Sequence, residues 1–398
     1  MRNYLIGTDR VFHLSDTGRD SLIDALSLLG AATKTMFCNP KNFVVYSIVG
    51  KSDDRIECYA LEPLHSSITA IASGYYTQQD GDIKRRGSIR ITSLLKAGFS
   101  EDDIEEIKRM GFFLQYKDGE NIYSFVVDNM ALASLSEILD INLIAGSNSA
   151  RDLYLASIFR SAKSFLMTVR RMGDCGRVLL FHKESARPTP LQAVSELFSN
   201  FPLTVKRWEI SQTRIFVYLQ YSDMLVKVGD DEVRFGMRFE VSERNRECIA
   251  IQNLLYYRGE EVWFSRRLHQ IASQETSVTK LCDKYIETEN VFLEEAKNVL
   301  EKAAYIHVKD VRGSVERIFG ILNLHKEFGN SNMRRLESRV GLDEKSGCSL
   351  AEILMFFEML PASTDGTFKA YAIEKLRGKV SSLLYSKMMQ KILYELEI

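Results

Sequence analysis

The sequence predicts an α+β protein: a mixed N-terminal subdomain, a central antiparallel sheet with flanking helices, and a C-terminal helical region. Three patterns carry this. First, Val233, Phe235, Met237, Phe239 and Val241 alternate with Arg234, Gly236, Arg238 and Glu240, the period of two of a half-buried strand. Second, the apolar run Cys248 to Tyr257 turns at Arg258-Gly259-Glu260 and returns as Val262, Trp263 and Phe264, which reads as a hairpin. Third, beyond Ser277 the period changes. Val278, Leu281, Cys282, Tyr285, Phe292, Ala296, Val299 and Ala303 recur every three or four residues, so a helix of roughly 40 Å should run to Ala304 and pack on the sheet.

Taken in order, Asn3 to Gly7 is a short apolar strand, and Asp16-Thr17 caps a helix with a face of Leu22, Ala25, Leu26 and Leu29, stopped by Gly30. Phe43–Val49 and Ile56–Leu61 flank a polar loop and should pair. Ile91–Ala97 and the acidic run after Ser100 read as two helices around Gly98, followed by strands Phe112–Tyr116 and Ile122–Val127. That order fits a winged helix-turn-helix. The second helix carries Glu101, Asp102, Asp103, Glu105 and Glu106, however, and these acids would face phosphates, so a structural unit is the expectation. A helix over Asn129–Leu139 precedes a linker at Gly146-Ser147-Asn148-Ser149.

After the linker come a helical stretch from Asp152 to Phe165, strands at Leu166–Arg171 and Val178–His182, and a helix opened by Pro190. Strands at Leu203–Ile210 and Arg214–Tyr221 follow. The tail predicts helices at Val311–Glu327, Met333–Val340, Leu350–Leu360 and Phe368–Glu395, the last weakened by Gly378. The expected domains are therefore 1–146, 147–275 and 276–398.

The chain has 398 residues and a formal net charge of -1, so no global field draws it to nucleic acid or membrane. Its six cysteines are scattered without a C-x-x-C, which fits free thiols better than a disulfide framework. No apolar leader and no apolar run near the roughly 20 residues of a membrane span are seen, so the expectation is a cytoplasmic protein without a membrane partner. Neither G-x-x-x-x-G-K-[ST], G-x-G-x-x-G, H-E-x-x-H nor G-x-S-x-G occurs, and the six histidines lack metal-ligand spacing. No cofactor, metal or catalytic residue is expected, and the enzyme reading is the weakest. The one candidate nucleophile–base pair is Cys175 with His182, if adjacent strands bring them together. A turn cysteine is the simpler account.

Charge is uneven. Between 151 and 229 the chain holds 12 Lys and Arg against 6 Asp and Glu, a net +6. Arg170, Arg171, Arg177, Lys206, Arg207 and Arg214 lie there among Phe165, Phe181, Trp208 and Phe216, and the hairpin adds Arg234, Arg238, Arg267 and His269. A sheet face mixing arginine with aromatic rings holds single-stranded nucleic acid by phosphate contact and base stacking. These ten residues form the predicted nucleic-acid site. The competing account is that the arginines pair with the chain's own Glu209, Glu240, Glu243 and Glu247.

The segments VKRWE (Val205–Glu209), FGMRFEVSE (Phe235–Glu243) and RRLH (Arg266–His269) resemble a phage- and plasmid-encoded family known only as a domain of unknown function. The likeness covers about residues 150–305. It implies a mobile-element origin and carries no site residues. Together these readings predict a non-enzymatic, oligomeric phage or plasmid accessory protein that binds nucleic acid through a basic sheet face. The alternative is a protein-binding or assembly component with its charged helices as the interface.

Overall fold

The computed structural model describes residues 2–6, 11–61, 83–96, 101–119, 121–127, 129–140, 163–172, 175–185, 191–211, 214–242, 249–264, 269–271, 278–337, 346–364 and 370–398, with positions 152, 155, 159 and 342. The class is α+β, as predicted. The first elements are β1 (Arg2–Ile6), β2 (Val11–Asp16), α1 (Arg19–Ala32), β3 (Thr33–Cys38), β4 (Phe43–Lys51), β5 (Arg55–Leu61), β6 (Ile83–Arg90), α2 (Ile91–Lys96) and α3 (Glu101–Met110). Next come β7 (Phe112–Asp118), β8 (Asn121–Val127), α4 (Asn129–Leu139), β9 (Phe165–Met172), β10 (Cys175–Lys183), α5 (Leu191–Ser199), β11 (Thr204–Ser211), β12 (Arg214–Val228) and β13 (Asp231–Ser242). β14 (Ile249–Tyr257), β15 (Glu260–Trp263) and β16 (His269–Ile271) precede the helical tail. The tail holds α6 (Val278–Ala304), β17 (His307–Val308), α7 (Val311–Leu322), α8 (Leu324–Phe328), α9 (Asn330–Glu337), β18 (Cys348–Ser349), α10 (Leu350–Met359), α11 (Ala370–Val380) and α12 (Ser386–Leu396).

Two compact units interleave along the chain. One comprises Met1–Ile23, Ala193–Ser242 and Arg246–Ile398, the other Asp24–Gln192 with Glu243–Asn245. These do not coincide with the three consecutive segments expected from the sequence. β2 pairs with β11 across nearly 200 residues, and β9 and β10 join strands that precede the expected linker. That linker lies outside the described residues. Pairing at this range leaves no local signal in composition.

In the unit of Asp24–Gln192 the sheet order is β3-β9-β10-β8-β7-β4-β5-β6. β8 and β10 run parallel and the other pairs antiparallel. Alternate residues feed two cores. Phe43, Val45, Phe112, Leu114, Phe125 and Val127 pack with Ala131, Leu132 and Leu135 of α4. On the opposite face Ile48, Phe113 and Val126 pack with Leu94, Ile104 and Ile107 of α2 and α3. The β7–β8 hairpin is thus mid-sheet, held by β4 on one side and β10 on the other. It is no free wing, and the acids of α3 front a structural helix. β10 carries a bulge between Val178 and Leu180, and beyond it the Phe181 N–H donates to Ser134 Oγ of α4 at 2.9 Å.

The other unit holds an antiparallel sheet of order β1-β2-β11-β12-β13-β14-β15, with β16 sharing the far edge of β14. The predicted hairpin is β14–β15. Its turn places both Arg258 (φ 52°) and Gly259 (φ 79°) in the left-handed region, the twist a two-residue connection needs. On one sheet face Trp208, Ile215, Val217, Leu219, Phe235, Met237, Phe239 and Ile251 are buried. Phe198 and Phe201 meet the Phe239 ring edge-on, and Trp208 Nε1 donates to Ser21 Oγ. α6 packs against β12 and β14 and buries Leu293, Ala296, Leu300 and Ala303, while Phe292, expected on the buried stripe, is 38% exposed against Tyr385. α6 also brings polar groups inward. Glu289 accepts from Asn253, and Asn290 accepts from Tyr221, whose hydroxyl burial pushes above its usual range.

Caps divide the tail more finely than periodicity predicts. Asp310 accepts from the Gly313 N–H at 2.9 Å to start α7, and Asn323 in the left-handed region (φ 56°) ends it, so the helix expected over Val311–Glu327 is two. The helix expected over Phe368–Glu395 breaks at a 3-10 turn, Ser381–Leu384, rather than at Gly378. Ser349 and Glu352 form a capping box on α10, and Glu295 of α6 accepts the Ser386 N–H at 2.9 Å in place of a local cap on α12. Replacing Asp310 by Ala is expected to cost about 1 kcal/mol of stability, read by urea denaturation. No loss would mean the cap is not formed in solution.

Candidate functional site

Strand register assembles the outward face of the central antiparallel sheet row by row. Glu209, Phe216, Glu240 and Ala250 lie side by side, and one row along come Arg207, Tyr218, Arg238 and Gln252. Arg234 and Tyr256 continue the face, with Glu261 beside Tyr256 on β15. Arg207 and Arg238 therefore sit on one face two strands apart, as period-two alternation requires.

The chain's own carboxylates take up the guanidiniums. Arg207 forks onto Glu261, Nε to Oε1 at 2.6 Å and Nη2 to Oε2 at 2.5 Å, and also holds Glu209. The Glu261 hydrogen bonds push the Arg207 guanidinium further above its ordinary value. Arg238 and Arg214 share Glu240, Arg234 pairs with Glu232 at 2.8 Å, and Arg258 with Asp231 at 2.6 Å. Five guanidiniums meet five carboxylates, so the formal charge of these groups cancels.

Rings occupy the remaining guanidinium surfaces. Arg207 lies 3.5 Å from the centroid of Tyr218, and Arg238 lies 4.6 Å from Phe216 and 4.4 Å from Trp263. Arg377 of α11 reaches Trp263 as well, at 4.6 Å. The middle of the face is closed to solvent: Tyr218, Gln220, Arg238, Gln252 and Leu254 are all buried. Its margin is more open: among the described residues Lys206 and Arg214 are exposed and Arg234 partly so.

The predicted ten residues thus do not share one sheet. Arg170, Arg171 and Arg177 lie on β9 and β10 of the other sheet. Arg170 is 3% exposed and donates from Nε to Thr33 Oγ1 at 2.9 Å. Lys206, Arg207, Arg214, Arg234 and Arg238 share the central sheet, and His269 opens β16 opposite Ile251. Arg267, Glu243 and Glu247 lie outside the described residues. Glu209 and Glu240, the acids weighed as partners from the sequence, do hold arginines, while Glu261, Trp263 and Tyr218 were not foreseen. Charge pattern alone could not find them, because cross-strand register decides which carboxylate meets which guanidinium. Cys175 and His182 fall on the single strand β10, seven residues and roughly 23 Å apart. His182 Nε2 instead meets Thr168 Oγ1 at 2.9 Å. The pair is not a nucleophile and its base.

A second feature lies on the helical tail. A groove of about 690 Å³ runs beside α6, lined by Val291, Glu294, Glu295, Asn298, Lys302 and Ser386 among others. Val291 is 67% exposed on its edge, and Phe292 follows it. Tyr305, just past the end of α6, is 91% exposed and Tyr394 on α12 is 82% exposed. α12 also exposes Lys387 and Lys391, and α6 exposes Glu287 and Glu294.

Among the described residues no helix is long and apolar enough to cross a membrane, and no group of three or more His, Cys, Asp or Glu is placed to hold a metal. No protein-family model, curated protein or solved structure matches the chain.

Proposed function

We propose that the chain is an assembly component that binds a second copy of itself through the α6–α12 face. The observation carrying this reading is the groove beside α6 lined by the exposed Val291, with the part-exposed Phe292 next to it in the chain. Exposed aliphatic and aromatic side chains bordering a groove are characteristic of interaction surfaces. The exposed charges of α6 and α12 are of both signs, Glu287 and Glu294 on the first and Lys387 and Lys391 on the second, the mix an isologous contact can pair. Sedimentation velocity over a hundredfold concentration range should then show a dimer that Val291→Asp combined with Phe292→Ser converts to monomer. A monomer at every concentration for the unaltered chain would sink the proposal.

A second reading keeps a polyanion as ligand and rests on Lys206, Arg214 and Arg234, which stay solvent-accessible at the sheet margin. Filter binding with single-stranded and duplex DNA at two salt concentrations separates the two. Affinity that falls steeply with salt, and falls again in the Arg214→Ala, Arg234→Ala double variant, favours the polyanion. Salt-insensitive or absent retention leaves assembly.

A further inference from the structure

Helix α10 is apolar along almost its whole length, yet its penultimate residue, Glu358, is 1% exposed. Neither carboxyl oxygen has a hydrogen-bond partner in bonding geometry, nor does the buried Ser381 Oγ of the 3-10 turn packed against this helix. A buried carboxylate without partners is costly, whereas a protonated carboxyl has an O–H to donate to a neighbouring hydroxyl.

Among the described residues one cation acts on this group, Arg377 of α11. Several other charges on those elements are engaged elsewhere. Lys375 and Lys379 of α11 hold Glu327, and Glu261 of β15 holds Arg207. On α6, Glu289 accepts from Asn253 and Lys297 faces Glu301. The 3-10 turn adds only serines and leucines, and β18 a buried thiol, Cys348. Arg377 is itself shared, with its guanidinium on Glu374 and over the Trp263 ring.

We propose that Glu358 is a proton-operated latch: protonated, it closes α10 on Ser381 and leaves Arg377 stacked on Trp263; ionised, with its proton released to water, it draws Arg377 off that ring. Burial, the dominant influence, raises the carboxyl well above the usual carboxylate range, and Arg377 and Ser381 oppose it more weakly. The folded state therefore holds this proton more tightly than the unfolded chain. The latch's stability is full below the unfolded carboxyl's range and is lost as pH rises through the folded value.

The test compares the unaltered protein with Glu358→Gln, an isosteric neutral side chain, and with Arg377→Met. Thermal melting and tryptophan emission are recorded from pH 5 up to the highest pH at which the protein stays folded. The chain's two tryptophans are Trp208 and Trp263, and a Trp263→Phe control isolates the second. The Tm advantage of Glu358→Gln should grow by several degrees toward the upper end of that range. The Trp263 emission should shift over the same interval in the unaltered protein and stay fixed in both variants. Parallel melting curves, or an emission shift that persists in Glu358→Gln, would overturn the latch. Should Arg377→Met fail to fold, the Glu358→Gln comparison still decides.

Discussion

Phe239→Ala should lower the unfolding free energy by about 3–5 kcal/mol, the cost of removing a buried phenylalanine and leaving a cavity that neighbours fill only in part. Phe239 is fully buried on β13, with Phe198 at 5.6 Å and Phe201 at 5.2 Å, both edge-on. Rings in that arrangement add roughly 0.5–1.5 kcal/mol beyond their area, so the loss belongs at the upper end. Both tryptophans lie in the unit that holds Phe239, so urea unfolding followed by intrinsic fluorescence reports on it directly. A Phe239→Leu variant should lose less, since it keeps most of the volume. A change under about 1 kcal/mol for the alanine variant would show that the ring is not enclosed as described.

Gly236→Ala is the second. An alanine Cβ at this position would stand 2.2 Å from the Leu219 carbonyl oxygen and 2.6 Å from Cε2 of Tyr256. The first is backbone of the neighbouring strand and cannot rotate away. Tyr256 crosses this point because its hydroxyl donates to that same carbonyl at 3.2 Å. Just beyond, β12 bends: Gln220 opposes Gly236, but the next ladder partner is Leu225, opposite Arg234. Unlike Gly259, where a positive φ calls for glycine, Gly236 is needed for space alone. One methyl should therefore cost about 3 kcal/mol, the upper end of the range for overpacking. The amide protons of β12 and β13 beside the bend should also exchange faster. An alanine variant with unaltered midpoint and exchange would mean the strands are not in this close register.

Neither effect depends on the proposed assembly or on the Glu358 latch. A variant that fails at Val291 or Glu358 while the core variants behave as expected isolates the functional proposals from the fold.

Much of the architecture was legible because it is written at short range. Alternation placed β13 and the first half of β12, which runs on to Val228, the apolar run and the Arg258-Gly259 turn placed the β14–β15 hairpin, and the run beyond Ser277 placed α6 almost to the residue. The helices of the tail were visible, but not the Asn323 and Ser381 breaks, which rest on backbone geometry that periodicity does not encode. The candidate arginines could be named as individuals, not as a surface. Their spacing said which lie on the same phase of a strand, and no more.

What the sequence settled by itself is the α+β class and the position of each strongly periodic element, since alternation and 3.6-residue spacing are properties of neighbours along the chain. The tertiary structure alone decided that β1 and β2 join the central sheet and that Arg170, Arg171 and Arg177 belong to another. It also decided that Glu209, Glu240 and Glu261 hold Arg207, Arg214 and Arg238. The reason is range: a charge finds its partner across strands whose register is fixed by burying Trp208, Val217, Phe239 and Ile251 on the opposite face, and that choice is made by the sheet as a whole.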